Sequence, residues 1–232
     1  MGFLSILYPD RCPVCHGVIQ GRGNICPPCR KRLHYIKEPK CKKCGKEIEK
    51  PEDEYCRDCQ RFHHSYDRGV AVFAYDEVMR LSIAMFKYHN RREYAKFYAR
   101  EMYDHCRSFL RFCNPDVILP VPVHRQKKRQ RGFNQAELVA KELGRLLGVP
   151  VDTKYLIRKE KTTPQKELTR QQRKENLKKA FEIQATEKVY ERVLLVDDIY
   201  TTGATIDAIS DILRKKQSKI IFFLTICVGR SD

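Results

Sequence analysis

No stretch of this 232-residue chain is long enough or apolar enough to span a bilayer. Its opening, Met1 to Pro9, lacks both a basic run and a small-residue cleavage site, so it reads as a short packing segment rather than a secretion signal. Without such a signal, the cysteines do not read as a disulfide framework. These absences set the expectation of a cytoplasmic protein with no membrane insertion. Negative charge is short as well: 29 Asp plus Glu face 46 Lys plus Arg, a net +17. That balance says nothing about fold but points to polyanionic partners, the alternative being a basic surface that serves only solubility.

The first 60 residues are poor in apolar side chains and rich in Lys, Arg and Pro, so they cannot bury much core by themselves. What they have is cysteine. Eight of the eleven stand here as Cys12/Cys15, Cys26/Cys29, Cys41/Cys44 and Cys56/Cys59, four Cys-x-x-Cys pairs that form two similar units in tandem. Each pair puts two thiolates on one turn, and two pairs close a four-sulfur shell with no position open to substrate. Two structural Zn2+ ions are the expectation, with sequential pairing preferred and an interleaved arrangement left open. Cys106, Cys113 and Cys227 lie in apolar-periodic stretches and read as packed small residues.

From about residue 66 the pattern becomes alternating strands and helices, which divides the chain into 1–65 and 66–232. Gly69 to Tyr75 reads as a strand, followed by a helix carrying Val78, Leu81, Ala84, Met85 and Phe86, then a second helix with Tyr94, Phe97, Tyr98 and Met102. Asp116 to Val123 reads as the first buried sheet strand, with prolines suited to its exit. A cationic loop from His124 follows. Asn134 and Glu137 have the spacing of a capping box for a helix whose buried stripe is Phe133, Ala136, Val139, Ala140, Leu143, Leu146 and Leu147.

Val193 to Val196 is an apolar run of the kind covered on both faces of a sheet. Asp197 and Asp198 stand where it ends, and ligands of open α/β sheets bind beyond that end. Thr201, Thr202 and Thr205 offer hydroxyls, Gly203 permits close backbone approach, and the free amides of the next helix favour an anion.

This segment resembles the phosphoribosyl diphosphate (PRPP) signature of type I phosphoribosyltransferases. The resemblance implies that Asp197 and Asp198 hold the ribose hydroxyls, that Thr201, Thr202, Gly203, Ala204 and Thr205 cradle the 5-phosphate, and that Val123, His124 and Arg125 meet pyrophosphate. It also implies Mg2+ between pyrophosphate and ribose, and a mobile loop over Arg158 to Phe181. Pro120 to Arg125, Arg131 to Ala136, the segment Thr163 to Asn176 with Arg170 and Arg173, and the cysteine-bearing start together resemble the ComF family, associated with competence for natural transformation. One departure stands out: Lys87-Tyr-His-Asn90 occupies the place where relatives have Lys-Tyr-x-Gly, which leaves Lys87 and Arg91 outside the primary site. The fold expected is α/β, a type I phosphoribosyltransferase fold with a parallel central sheet plus a small N-terminal zinc-ribbon domain.

Two functional classes stay open. One is an enzyme that transfers phosphoribosyl groups, with Asp197 or Asp198 stabilising charge at the anomeric carbon. The other is a DNA-handling factor that binds PRPP or ribose 5-phosphate, contacts single-stranded DNA and works with a competence helicase and a DNA-loading protein. Arg11, Arg30, Lys31, Arg32, Lys42 and Lys43 are candidate phosphate contacts, with Tyr35 or Phe62 available for stacking. The reading adopted is a PRPP-pocket protein acting in DNA uptake. The alternative is nucleotide or purine/pyrimidine salvage, disfavoured because residues 66–92, expected to form the acceptor hood, carry no base-reading motif.

Overall fold

The computed structural model describes residues 10–19, 23–159 and 180–229. Four parallel strands form its centre: β1 (Arg68–Ala74), β2 (Val117–Pro120), β5 (Arg192–Tyr200) and β6 (Ile220–Val228), in the order β1-β6-β5-β2. The apolar runs of β5 and β6 are buried over most of their length, as strands covered on both faces must be. Alternate residues feed two separate cores. Val70, Val72, Leu194, Val196, Phe222 and Leu224 face one; Ala71, Val117, Leu119, Val193, Leu195 and Phe223 face the other.

The first face is covered by α3 (Glu77–Tyr88), α4 (Tyr94–His105), α5 (Arg107–Cys113) and α7 (Gln135–Leu147). The predicted aromatic stripe of α4 is core: Tyr94, Phe97, Tyr98 and Met102 are all buried. In α3 the buried set is Met79, Ser82, Ile83 and Phe86, one step round from the predicted stripe, which leaves Leu81 exposed. The side chain of Asp76 caps α3 by accepting from Met79 N. The second face is covered by α8 (Ala204–Lys215) and by the antiparallel pair β3 (Leu156–Arg158) and β4 (Phe181–Ile183).

Three expectations change here. β1 joins the central sheet beside β6, so residues 66–92 supply an edge strand and a core helix rather than a hood, because the strand is apolar enough to be buried at every position after Arg68. β2 is therefore the second sheet strand, at the opposite edge, with Pro120 at its exit as anticipated. The cationic stretch after it folds as α6 (Arg125–Arg131), closed by Gly132 at φ +77°. The capping box of α7 is half realised: Asn134 accepts from Ala136 N, while Glu137 pairs with Lys128 and Lys141.

The cysteine-rich segment shares the core of the sheet. Cys12, Val14, Ile25, Cys29 and Leu33 pack into the first face, and Cys41, Cys44, Cys56 and Tyr66 into the second, so the two halves clasp opposite sides of one sheet. Between them, residues 34–36 bridge to β1 through Ile36 N to Val72 O and Ala74 N to His34 O, which covers that sheet edge. Cys106, Cys113 and Cys227 are buried, as expected.

Candidate functional site

The carboxyl ends of β2 and β5 lie side by side, with Pro120 in register with Val196 and Val121 N donating to Val196 O. This brings residues 121–125 beside Asp197. Asn134 Nδ2 donates to Val121 O and braces the turn, while His124 Nδ1 caps α6 by accepting from Gln126 N. Val123 and His124 are half-buried and Arg125 exposed.

Asp197 Oδ1 accepts from Asp198 N at 2.8 Å, and Asp198 Oδ2 receives Lys87 Nζ at 2.6 Å. Burial first, then the neighbouring Asp198 carboxylate, pushes the Asp197 carboxyl up to about 8, against the pull of Lys87 and Arg158. The acidic pair is thus flanked by two cations that the sequence had not placed there. Arg158 is a strand residue: β3 and β4 join Arg158 to Phe181 in register, and its guanidinium stacks over the Phe181 ring. Most of the predicted mobile loop, including Arg170, Arg173 and Asn176, lies outside the described residues, as does Met1 to Pro9. Lys87 reaches Asp198 from the last turn of α3, and in the turn after it Asn90 adopts φ +53°, the left-handed conformation that glycine would supply.

After Tyr200 the chain turns through exposed Thr201 and Thr202 into buried Gly203, which is the N-cap of α8 at φ +79°. A built Cβ on Gly203 would meet Tyr200 Oη at 2.6 Å and His64 Cε1 at 3.1 Å. No side chain caps α8, and the first amides of a helix, here at Ala204, Thr205 and beyond, have no intrahelical acceptor, which makes the positive end of this three-turn helix suited to an anion. Thr201, Thr202, Gly203, Ala204 and Thr205 therefore share one turn, next to the acidic pair.

The cysteines gather as predicted for sequential pairing. The Sγ atoms of Cys12, Cys15, Cys26 and Cys29 lie within 4.8 Å of one another, and so do those of Cys41, Cys44, Cys56 and Cys59. Sulfur–sulfur separations of 3.7, 3.6 and 3.6 Å for Cys15–Cys26, Cys12–Cys26 and Cys44–Cys56 match the edge, about 3.8 Å, of a tetrahedron of thiolates about 2.3 Å from a zinc ion. All are free thiols rather than disulfides. The two units repeat bond for bond: His16 N to Cys12 O and Gly45 N to Cys41 O, Cys12 N to Gly17 O and Cys41 N to Lys46 O.

The double zinc ribbon domain family matches residues 3–60, and the phosphoribosyl transferase domain family matches residues 99–232. Competence protein F of Haemophilus influenzae is 33% identical over 211 residues, covering 88% of this chain and 91% of that protein. The chain belongs to the ComF family of competence proteins. Two further ComF relatives agree: the DNA utilization protein YhgH of Salmonella typhi, 28% identical over 97% of this chain and 92% of its own, and competence protein ComFC of Bacillus subtilis, 28% identical over 78% and 74%. No described helix of this ComF-family chain is long and apolar enough to cross a membrane.

The candidate DNA contacts divide. Tyr35 is not available for stacking: its hydroxyl donates to Glu101, and its ring lies on His105 and Phe73. Arg30 pairs with Glu101, Lys42 with Glu54, and Lys43 donates to Tyr66 O while lying over its ring. Lys31 and Arg32 are exposed at the end of α1 (Pro27–Arg30).

Proposed function

We propose that this ComF-family protein binds PRPP or ribose 5-phosphate with Mg2+ at residues 197–205, and that it acts in DNA uptake through contact with single-stranded DNA. The observation that carries the sugar-phosphate reading is the turn itself. A buried strand ends in two carboxylates, and the next helix begins on an uncapped glycine with its amides open. Carboxylate oxygens accept from the ribose hydroxyls, while the amides and hydroxyls of 201–205 bind the phosphate. Residues 121–125 adjoin the pair on the side where pyrophosphate would leave.

The donor set fits Mg2+, a hard cation that takes carboxylate and phosphate oxygens. Bound with the diphosphate, it would neutralise charge on the leaving group. The chain's own contributions are separate. Lys87 holds Asp198 in position, and Asp197, its carboxyl pushed up by burial and by the Asp198 carboxylate, gains from hydroxyls and cations that approach it. Arg158 adds positive charge beside Asp197. A transferase would use the carboxylates to stabilise a cationic sugar; a DNA-handling factor would use the same contacts for binding alone. Zinc at the two four-sulfur groups would hold the ribbons in shape.

Calorimetry with ribose 5-phosphate and Mg2+ tests the site. The double change Asp197→Asn, Asp198→Asn is expected to weaken binding by about 2–5 kcal/mol; unchanged affinity would overturn the assignment. The relatives' names, competence protein and DNA utilization protein, support the DNA role. That role requires restored transformation or DNA use by the wild-type chain in a cell lacking its relative.

A further inference from the structure

The linker between the second ribbon and β1 runs along α8 and is tied to it by several polar bonds. Asp207, in the first turn of α8, accepts from His64 Nδ1 at 2.8 Å and from Ser65 N at 2.9 Å. Ser65 Oγ donates to Asp211, and Arg214 donates to Asp67 and to Ser65 O. These bonds use both oxygens of Asp207, a carboxylate that would otherwise repel an anion arriving at the same helix end.

His64 itself is left half-satisfied. Donation to Asp207 fixes the proton on Nδ1, so Nε2 is either a bare acceptor or a second donor. Its side chain is only 3% exposed, and Nε2 is buried with no hydrogen-bond partner. An open groove of about 500 Å³ runs between the linker and α8, yet Nε2 is closed to solvent. A buried, unpaired ring nitrogen is costly, so its retention calls for a function. The ring is sandwiched between Tyr66, stacked at 5.0 Å, and the phosphate loop. Cε1, the atom that joins the two ring nitrogens, is the one that approaches Gly203. Nε2 is therefore one bond from the atom that meets the loop.

We propose that His64 is a positioning residue of the phosphate loop, its Nε2 reserved for a hydrogen bond that forms with the loop when a phosphomonoester seats on residues 201–205. This rests on the sugar-phosphate reading of that loop and adds a participant to it. The residue comes from the tail of the zinc ribbon rather than from the transferase-like fold, so the loaded loop and the ribbon's tail share one hydrogen-bonded unit. His64 meets the loop at Gly203 through Cε1 and the helix through Nδ1 on Asp207, and Gly203 lacks the Cβ that would crowd the ring.

Asparagine and glutamine isolate the two nitrogens. In His64→Asn the amide replaces Nδ1 and keeps the bond to Asp207 without Nε2; in His64→Gln an amide reaches the Nε2 position. Zinc-loaded full-length protein is titrated with ribose 5-phosphate and with unphosphorylated ribose, both with Mg2+, and melting temperatures are recorded in parallel. His64→Asn is expected to lose about tenfold or more in ribose 5-phosphate affinity with little change in melting, and His64→Gln to recover most of it. The ¹⁵N resonance of Nε2 is expected to move with ribose 5-phosphate and to stay with ribose.

If wild-type protein binds ribose 5-phosphate and His64→Asn binds equally well, or if the Nε2 resonance does not respond, the positioning role is overturned while the loop assignment stands. Both variants losing affinity in step with melting temperature would also overturn it, by reducing His64 to a packing residue. Failure of the wild-type chain to bind ribose 5-phosphate overturns the loop assignment, and this role with it.

Discussion

Single side chains set the chemistry of the acidic pair. With its folded-state carboxyl raised to about 8, Asp197 keeps a proton that the unfolded chain has released above about pH 4. The native state then holds more protons than the unfolded one between those values, so this residue lowers stability as pH rises through that window. Asp197→Asn is expected to raise the melting temperature of ligand-free protein at pH 8, with the difference closing toward pH 4. Differential scanning at both pH values checks this. Lys87 belongs to the same scale. Its 2.6 Å contact with Asp198, with each side chain 16% exposed, is shielded from solvent, so Lys87→Met leaves an unpaired carboxylate. Ribose 5-phosphate affinity measured by calorimetry is expected to fall about tenfold as Asp198 loses its anchor.

Two glycines show how elements are joined. Gly45, in the second ribbon's first knuckle, has φ +75°, and a Cβ there would stand 2.8 Å from Val70 Cα and 3.0 Å from Gly69 O of β1. The corresponding residue of the first ribbon is His16, left-handed at φ +62°, whose ring meets Tyr94: Nδ1 lies 2.8 Å from the hydroxyl. The same turn thus docks by backbone contact on one face and by a side chain on the other. Gly45→Ala meets backbone that cannot yield, and is expected to destabilise the protein by about 1–3 kcal/mol while His16→Ala costs less. Denaturant midpoints of the zinc-loaded variants compare the two. At the turn before α8, Gly203 has the same requirement for a different reason, since Tyr200 and His64 occupy the space beside it.

For the molecule as a whole, the ribbons and the sheet stabilise one another. Elemental analysis is expected to find two zinc ions per chain. Chelation is expected to destabilise both faces of the sheet, because each four-cysteine group contributes to a different core. A chelator titration followed by circular dichroism should show loss of sheet structure, rather than loss confined to the first 60 residues. The net charge of +17 predicts salt-dependent binding of single-stranded DNA, with a log–log slope of about −0.7 for each phosphate contacted. Since Lys42 and Lys43 are engaged with Glu54 and Tyr66, Lys31→Glu with Arg32→Glu is the pair expected to flatten that slope, as read by fluorescence titration.

The local patterns were legible without the fold. Cysteine spacing defined two ligand groups, the apolar run before Asp197 defined a buried strand, and Thr201 to Thr205 marked the start of α8, because each depends on residues close in sequence. Covalent geometry and hydrogen-bond periodicity act at that range. Contacts across long separations came only with tertiary structure: Lys87 on Asp198, Arg158 beside Asp197, His64 beneath Gly203 and Tyr35 against Glu101. The residues 66–92 were misread as a hood for the same reason. An apolar strand carries its burial in its own sequence, but the neighbour it pairs with, here β6 at the far end of the chain, is chosen by how the sheet assembles and by which helices and ribbons remain to cover its faces.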